Sequence, residues 1–212
     1  MLMQEIAALA GVIGALAVGT VSPGPSFVVV ARLAVATSRA NGLGAAVGMG
    51  IGGVVLAVAA LLGLQAVLLA VPSVYLALKV LGGLYLGYLG LRIIRAAKVS
   101  LAVEAPGQSG ATSVSRSFWL GFTTQVSNPK TAIVYASVFA AFLPGTFSVF
   151  FSTVLVSLVF VTEAGWYAIV ATMLSSYRPR RAYLDCKAWV DRAAGLVMVG
   201  VGLKLITSAH KA

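Results

Sequence analysis

No charged residue occurs between Glu5 and Arg32, between Arg39 and Lys79, or between Lys130 and Glu163. A helix crosses the hydrocarbon of a bilayer with about 20 apolar residues, so each gap has room for a span, and 40–78 has room for most of two. The rest of the composition agrees. Of 212 residues 60% are hydrophobic and only 9% charged, against about 25% in soluble domains. So little charge could not cover a water-soluble surface. A soluble domain, a disordered chain, a fibre and a nucleic-acid binder are excluded, because the net +10 is scattered between apolar runs and forms no basic patch with aromatics. The chain reads as an all-α integral membrane protein whose immediate partner is the lipid bilayer.

Charge gaps and turn residues together predict six transmembrane helices, at roughly 5–38, 43–70, 73–97, 117–143, 147–175 and 190–208. The turns fall at Arg39-Ala40-Asn41-Gly42, Val71-Pro72-Ser73 and Pro144-Gly145, and the connector Lys98 to Arg116 reads as a polar loop. The start lacks the basic n-region of a signal peptide, so the first apolar run is taken as a mature span. Arg32, Arg39, Arg92, Arg95, Lys98, Arg116, Arg178, Arg180, Arg181, Lys187 and Arg192 flank alternate turns. The positive-inside rule puts these in the cytoplasm and both termini outside.

Two segments recur. Val21-Ser22-Pro23 matches Val126-Ser127-Asn128-Pro129, and Gly83-Leu84 with Gly90-Leu91-Arg92 matches Gly195-Leu196 with Gly202-Leu203-Lys204. Each unit holds three helices, and an odd number inverts the second copy. A single transport domain, 1–212, is therefore expected: repeat one at about 1–98, a cytoplasmic loop at about 99–116 and repeat two at about 117–212. Inverted repeats are typical of secondary transporters. Pro23, Pro25 and Pro129 lie inside apolar spans, where proline breaks the helical ladder, and the freed backbone must face protein or a water-filled cavity. Helices one and four are thus expected to be broken at matching points around a central substrate site. Ser22, Gly24, Ser26, Gln125, Ser127 and Asn128 supply its polar groups and close backbone approach.

Lys130 and Glu163 stand at mid-membrane, where a charge costs roughly 2.5–3.5 kcal/mol on the insertion scale. Both should face the bundle interior. One reading is a structural ion pair or a permanently neutral Glu163. The other makes Glu163 the carboxylate that binds a proton or a substrate amine. Trp166 and Tyr167, three and four residues further on, either wall the site, with a cation–π option, or simply pack. Gly44, Gly48 and Gly52, with Gly83 and Gly87, have small-residue spacing; they are packing surfaces first and a homodimer contact second. A lone Cys186 and a lone His210 supply neither a metal site nor a catalytic triad, so neither a cofactor nor an enzyme is expected.

With these residues in view, the chain resembles the LysE/RhtB family of amino-acid exporters. The likeness rests on Val21-Ser22-Pro23-Gly24-Pro25, the Gly-rich second helix, Leu81-Gly82-Gly83-Leu84-Tyr85-Leu86, Gly121-Phe122, Asn128-Pro129-Lys130, and Glu163 with Trp166. It implies efflux of amino acids or similar small amines across the bacterial inner membrane, driven by the proton-motive force. Family members often have Thr at Ser22, Asn or Asp at Ser26 and Asp at Glu163. Many also carry a polar residue in helix two, where this chain has Gly53-Val54-Val55-Leu56. The competing expectation is a passive channel or an ion/metal permease on the same scaffold.

Overall fold

The computed structural model describes residues 2–22, 24–70, 72–98, 113–144 and 146–209. Among these, eight helices and no strand are found: α1 (Leu2–Val21), α2 (Pro25–Ala36), α3 (Arg39–Ala70), α4 (Pro72–Ala96), α5 (Val114–Val126), α6 (Pro129–Phe142), α7 (Val149–Leu174) and α8 (Tyr177–Ala209). Met3–Val21, Arg39–Gly63, Val149–Leu174 and Asp185–Ala209 are each long and apolar enough to cross a membrane. The helices α2 and α6 are apolar but shorter. On α3 the side chains of Val47, Ile51, Val55, Val58 and Leu62 are exposed at helical spacing. Such an outward apolar stripe belongs against lipid, since a soluble monomer rarely exposes one. The protein is an all-α integral membrane protein.

Several boundaries differ from the sequence expectation. Arg39–Gly42 does not form a turn. The turn lies just before it, at Thr37-Ser38, and the Ser38 hydroxyl accepts from the Asn41 N–H at 3.1 Å, as an N-cap does. Gly42 serves packing instead, because a methyl there would run into Ala34 and Ala171. The last helix begins at Tyr177, not near 190. Its first turns are rich in Arg, Lys and Ala, good helix formers even where no apolar stripe exists. Val71 and Gly145 of the expected turns and 99–112 of the expected loop lie outside the described residues. Ser113 caps α5, its hydroxyl accepting from the Arg116 N–H at 3.2 Å.

Lipid is as apolar as leucine, so helices in it associate through close packing more than through burial of oil from water. The glycines show how. A methyl on Gly83 would meet the carbonyl of Gly202, and one on Gly90 would meet that of Gly195; the reverse contacts hold too. Helices α4 and α8 therefore run antiparallel, backbone against backbone. The face of α3 carrying Gly44, Gly48 and Gly52 is covered by α5, through Val114, Phe118, Phe122 and Gln125. It is therefore an internal packing surface, not one open to a second copy.

Two apolar clusters result. The larger gathers Val12, Leu16, Leu86, Val138, Phe139, Leu155 and Met198 from α1, α4, α6, α7 and α8. The smaller joins Phe27, Val30, Met49, Tyr167 and Val170 from α2, α3 and α7. On α7 one face runs Val159, Glu163, Tyr167, Val170, all buried, so the carboxylate lies at the seam between the clusters.

Gly195 and Gly200 test the packing with one chemical change. Gly195→Ala places a methyl against Ile94 and the Gly90 carbonyl, whereas Gly200→Ala meets nothing within 4 Å. The first should lose about 1–3 kcal/mol, the usual penalty of overpacking, and show a lower unfolding midpoint in detergent. The second should lose none.

Candidate functional site

The two breaks are built alike. Helix α1 ends at Val21, and α2 begins with Pro25 behind an extended Gly24; α5 ends at Val126, and α6 begins with Pro129 behind Asn128. Proline suits the first helical position, where its missing N–H has no partner to lose. Each expected break is thus a stop and a fresh start, and the structurally equivalent prolines are Pro25 and Pro129. Pro23 lies outside the described residues. Asn128 caps α6, its side-chain oxygen accepting from the Lys130 N–H at 3.0 Å.

The end of α1 is satisfied from across the bundle. Lys130 Nζ donates to the carbonyls of Gly19 at 3.2 Å and Ser22 at 2.9 Å. The helical partner of Gly19 would be residue 23, a proline with no N–H, so the ammonium takes its place. A cation at a helix C-terminus is also favoured by the helix dipole. Lys130 thus bonds to backbone carbonyls, and no ion pair joins it to Glu163 among the described residues.

Glu163 is 3% exposed and neutral donors surround it. Tyr135 OH donates to Oε1 at 2.9 Å, Thr20 Oγ1 lies 3.0 Å from the same oxygen, and Gln125 Nε2 donates to Oε2 at 3.0 Å. Gly53 of α3 backs this group, since a side chain there would press on Glu163 and Tyr135. From Gln125 the chain of bonds runs to the breaks: Ser26 Oγ donates to Gln125 Oε1 at 2.6 Å, and Asn128 Nδ2 donates to Ser26 Oγ at 3.0 Å. The start of α2, the start of α6 and the middle of α7 are thereby tied by one hydrogen-bonded string.

Beside the carboxylate is a pocket of about 20 Å³, reaching Thr20, Ser22, Lys130, Tyr135, Glu163 and Tyr167. One water needs about 10–15 Å³ on this measure, so the pocket holds little more than that. A second cavity, of about 410 Å³, adjoins it and shares Ser22, Gly24, Asn128 and Lys130 with it.

These features sit in a chain whose residues 17–209 match the model of the LysE type translocators. The protein belongs to that family. It is 33% identical over 192 residues to the threonine efflux protein of Escherichia coli K12, covering 90% of this chain and 93% of the relative. The threonine efflux protein of Salmonella typhi is likewise 33% identical, over 193 residues. A leucine efflux protein of Klebsiella pneumoniae is 30% identical over 123 residues, 57% of this chain and 56% of its own length. No solved structure matches.

In this LysE-type translocator Ser22, Gly24, Ser26, Asn128, Lys130, Glu163 and Tyr167 line the small pocket. Gln125 stands behind it, bonded to Glu163. Pro25 and Pro129 line the larger cavity. Trp166 lines neither: it packs, half-buried, against the smaller cluster. At about 100° per residue, positions three and four beyond Glu163 diverge to opposite sides of it, and the pocket lies on the Tyr167 side. Sequence reasoning missed Thr20 and Tyr135. The signal was present, since a Tyr inside an apolar helix wants a partner for its hydroxyl and Thr20 directly precedes the first break.

Removing the middle of the string should expose its structural worth. Gln125→Leu leaves Ser26 without its acceptor and Glu163 without one donor. The expected loss is about 1–3 kcal/mol for the orphaned buried groups, read as a lower thermal midpoint of the purified protein.

Proposed function

We propose that this protein is a secondary exporter of amino acids or related small amines from a bacterial cytoplasm, exchanging them for protons by alternating access. The substrate class follows the named activities of its relatives, which are threonine and leucine efflux proteins. The mechanism rests on one observation: a buried carboxylate, Glu163, that among the described residues receives three neutral donors and no cation. A substrate ammonium brings N–H donors of its own and can replace them. A proton can also occupy the same carboxylate, and two ligands that exclude one another at one site are exchanged by it.

Thr20 accommodates both states. Its hydroxyl lies 2.8 Å from the Leu16 carbonyl and 3.0 Å from Glu163 Oε1, and it has one hydrogen to give and lone pairs to accept with. When Glu163 is ionised, Thr20 donates to it. When Glu163 carries a proton, the carboxyl donates to Thr20, which turns its own hydrogen to Leu16. The substrate carboxylate is received at Lys130 and at the N–H groups opening α2 and α6, which point positive partial charge at the site.

Six spans in two inverted repeats, about 1–98 and 117–212, supply the motion, with the eleven flanking cations cytoplasmic and both termini outside. The reciprocal contacts of Gly83 with Gly202 and Gly90 with Gly195 support this reading. Exchanging the repeats maps one contact onto the other. The pocket must widen to admit substrate, as a carrier caught between open states would.

Proteoliposomes with an imposed pH gradient test the proposal. Labelled threonine or leucine should move against the proton flow, and Glu163→Gln should abolish the gradient-driven component. Thr20→Val, which removes the reversible partner, should slow it about tenfold, the worth of a hydrogen bond to a charged group. Flux that ignores both the gradient and Glu163→Gln would make the protein a passive channel.

A further inference from the structure

The larger cavity has a use that the Glu163 site does not absorb. It lies where α4 ends and α8 begins, and its charged lining is Arg92, Lys130, Lys187 and Asp191. Among the described residues three cations face one carboxylate there, and that carboxylate is already engaged: Lys187 Nζ donates to Asp191 Oδ2 at 2.7 Å, with both side chains buried. Lys187 also reaches the Ala97 carbonyl at 3.5 Å, which anchors it to the end of α4. The surplus is positive, and in a low-dielectric cavity such a surplus calls for an anion. Arg92 stands exposed at the rim with a planar fork suited to a carboxylate.

Among the described residues, two buried polar atoms at this cavity lack partners: Ser22 Oγ and Asp191 Oδ1. Ser22 is 2% exposed and Asp191 3%. Buried polar groups are nearly always hydrogen-bonded, so a donor and an acceptor left idle in one cavity invite a ligand that carries both. Its volume of about 410 Å³ falls within the range of small-ligand sites, about 300–1,000 Å³.

We propose that this cavity is an antechamber for zwitterionic α-amino acids. The substrate's carboxylate is held by Arg92 and Lys130 with Ser22, and its ammonium turns toward Asp191, before Lys130 hands it on to the inner pocket. The proposal rests on the exporter reading and sharpens it. The two-sign lining selects an amino acid over the amine that lacks the carboxylate. Asp191 Oδ1 comes into play by rotation about the terminal carboxylate bond, a broad torsion.

Equilibrium binding to the protein in phosphatidylcholine nanodiscs tests this, with labelled threonine and with 1-amino-2-propanol, which is threonine without its carboxylate. The wild type should prefer threonine by about tenfold or more, the scale of a charge-assisted hydrogen bond. Arg92→Gln, at an exposed position, should weaken threonine about tenfold and leave the amine unchanged, and Arg92→Lys should recover part of the difference. Equal affinities in the wild type, or an Arg92→Gln effect that is absent or equal for both ligands, overturns the antechamber. A lipid headgroup as the cavity's anion would show differently: phosphatidylglycerol would bind in an Arg92-dependent way while threonine binding ignored Arg92→Gln, which also overturns it. Gradient-driven flux is measured separately, so a failed discrimination with intact flux removes the antechamber alone. Lost flux with intact discrimination removes the proton exchange alone.

Discussion

A carboxylate in the middle of a membrane bundle has no bulk water to lean on, and the arrangement around Glu163 answers that constraint. Tyr135, Thr20 and Gln125 come from three different helices to give it donors. Gln125 is in turn oriented by Ser26, and Ser26 is engaged by Asn128. Because Asn128 also caps α6, the solvation of one buried group reaches both helix breaks. Moving that group, or neutralising it, changes what holds the breaks together.

The second charge, Lys130, is handled by a different physics. Lys130 does not neutralise Glu163 but caps the carbonyl end of α1, where Pro23 cannot donate. The two charges thus stand on opposite kinds of partner, side-chain donors for the acid and backbone acceptors for the base. An ion pair would have locked them together. Keeping them separate leaves Lys130 at the junction of the small pocket and the larger cavity.

Much of this was legible in advance. The charge gaps announced the membrane, the prolines announced the breaks, and Lys130 and Glu163 stood out because nothing topological explains a charge there. The residues that were harder to find are those whose chemistry is ordinary. Thr20 and Tyr135 look like any polar residue of a transmembrane helix until α1, α6 and α7 are brought together. For Trp166 the structure chose packing over the site wall: one helical position separates it from Tyr167, and that step is enough to point it away from the pocket.

The sequence by itself determined the solvent and the places where the backbone ladder must fail, because these follow from local composition and from proline's missing N–H. It also determined which glycines recur at helical spacing. Only the tertiary structure decided that Gly44, Gly48 and Gly52 meet α5, that Lys130 turns to α1 rather than to Glu163, and that Lys187 and Asp191 line a cavity with Arg92. Those are contacts between helices far apart in the chain. Which partner a buried polar group finds depends on which face of a neighbouring helix is turned toward it, and no local pattern records that.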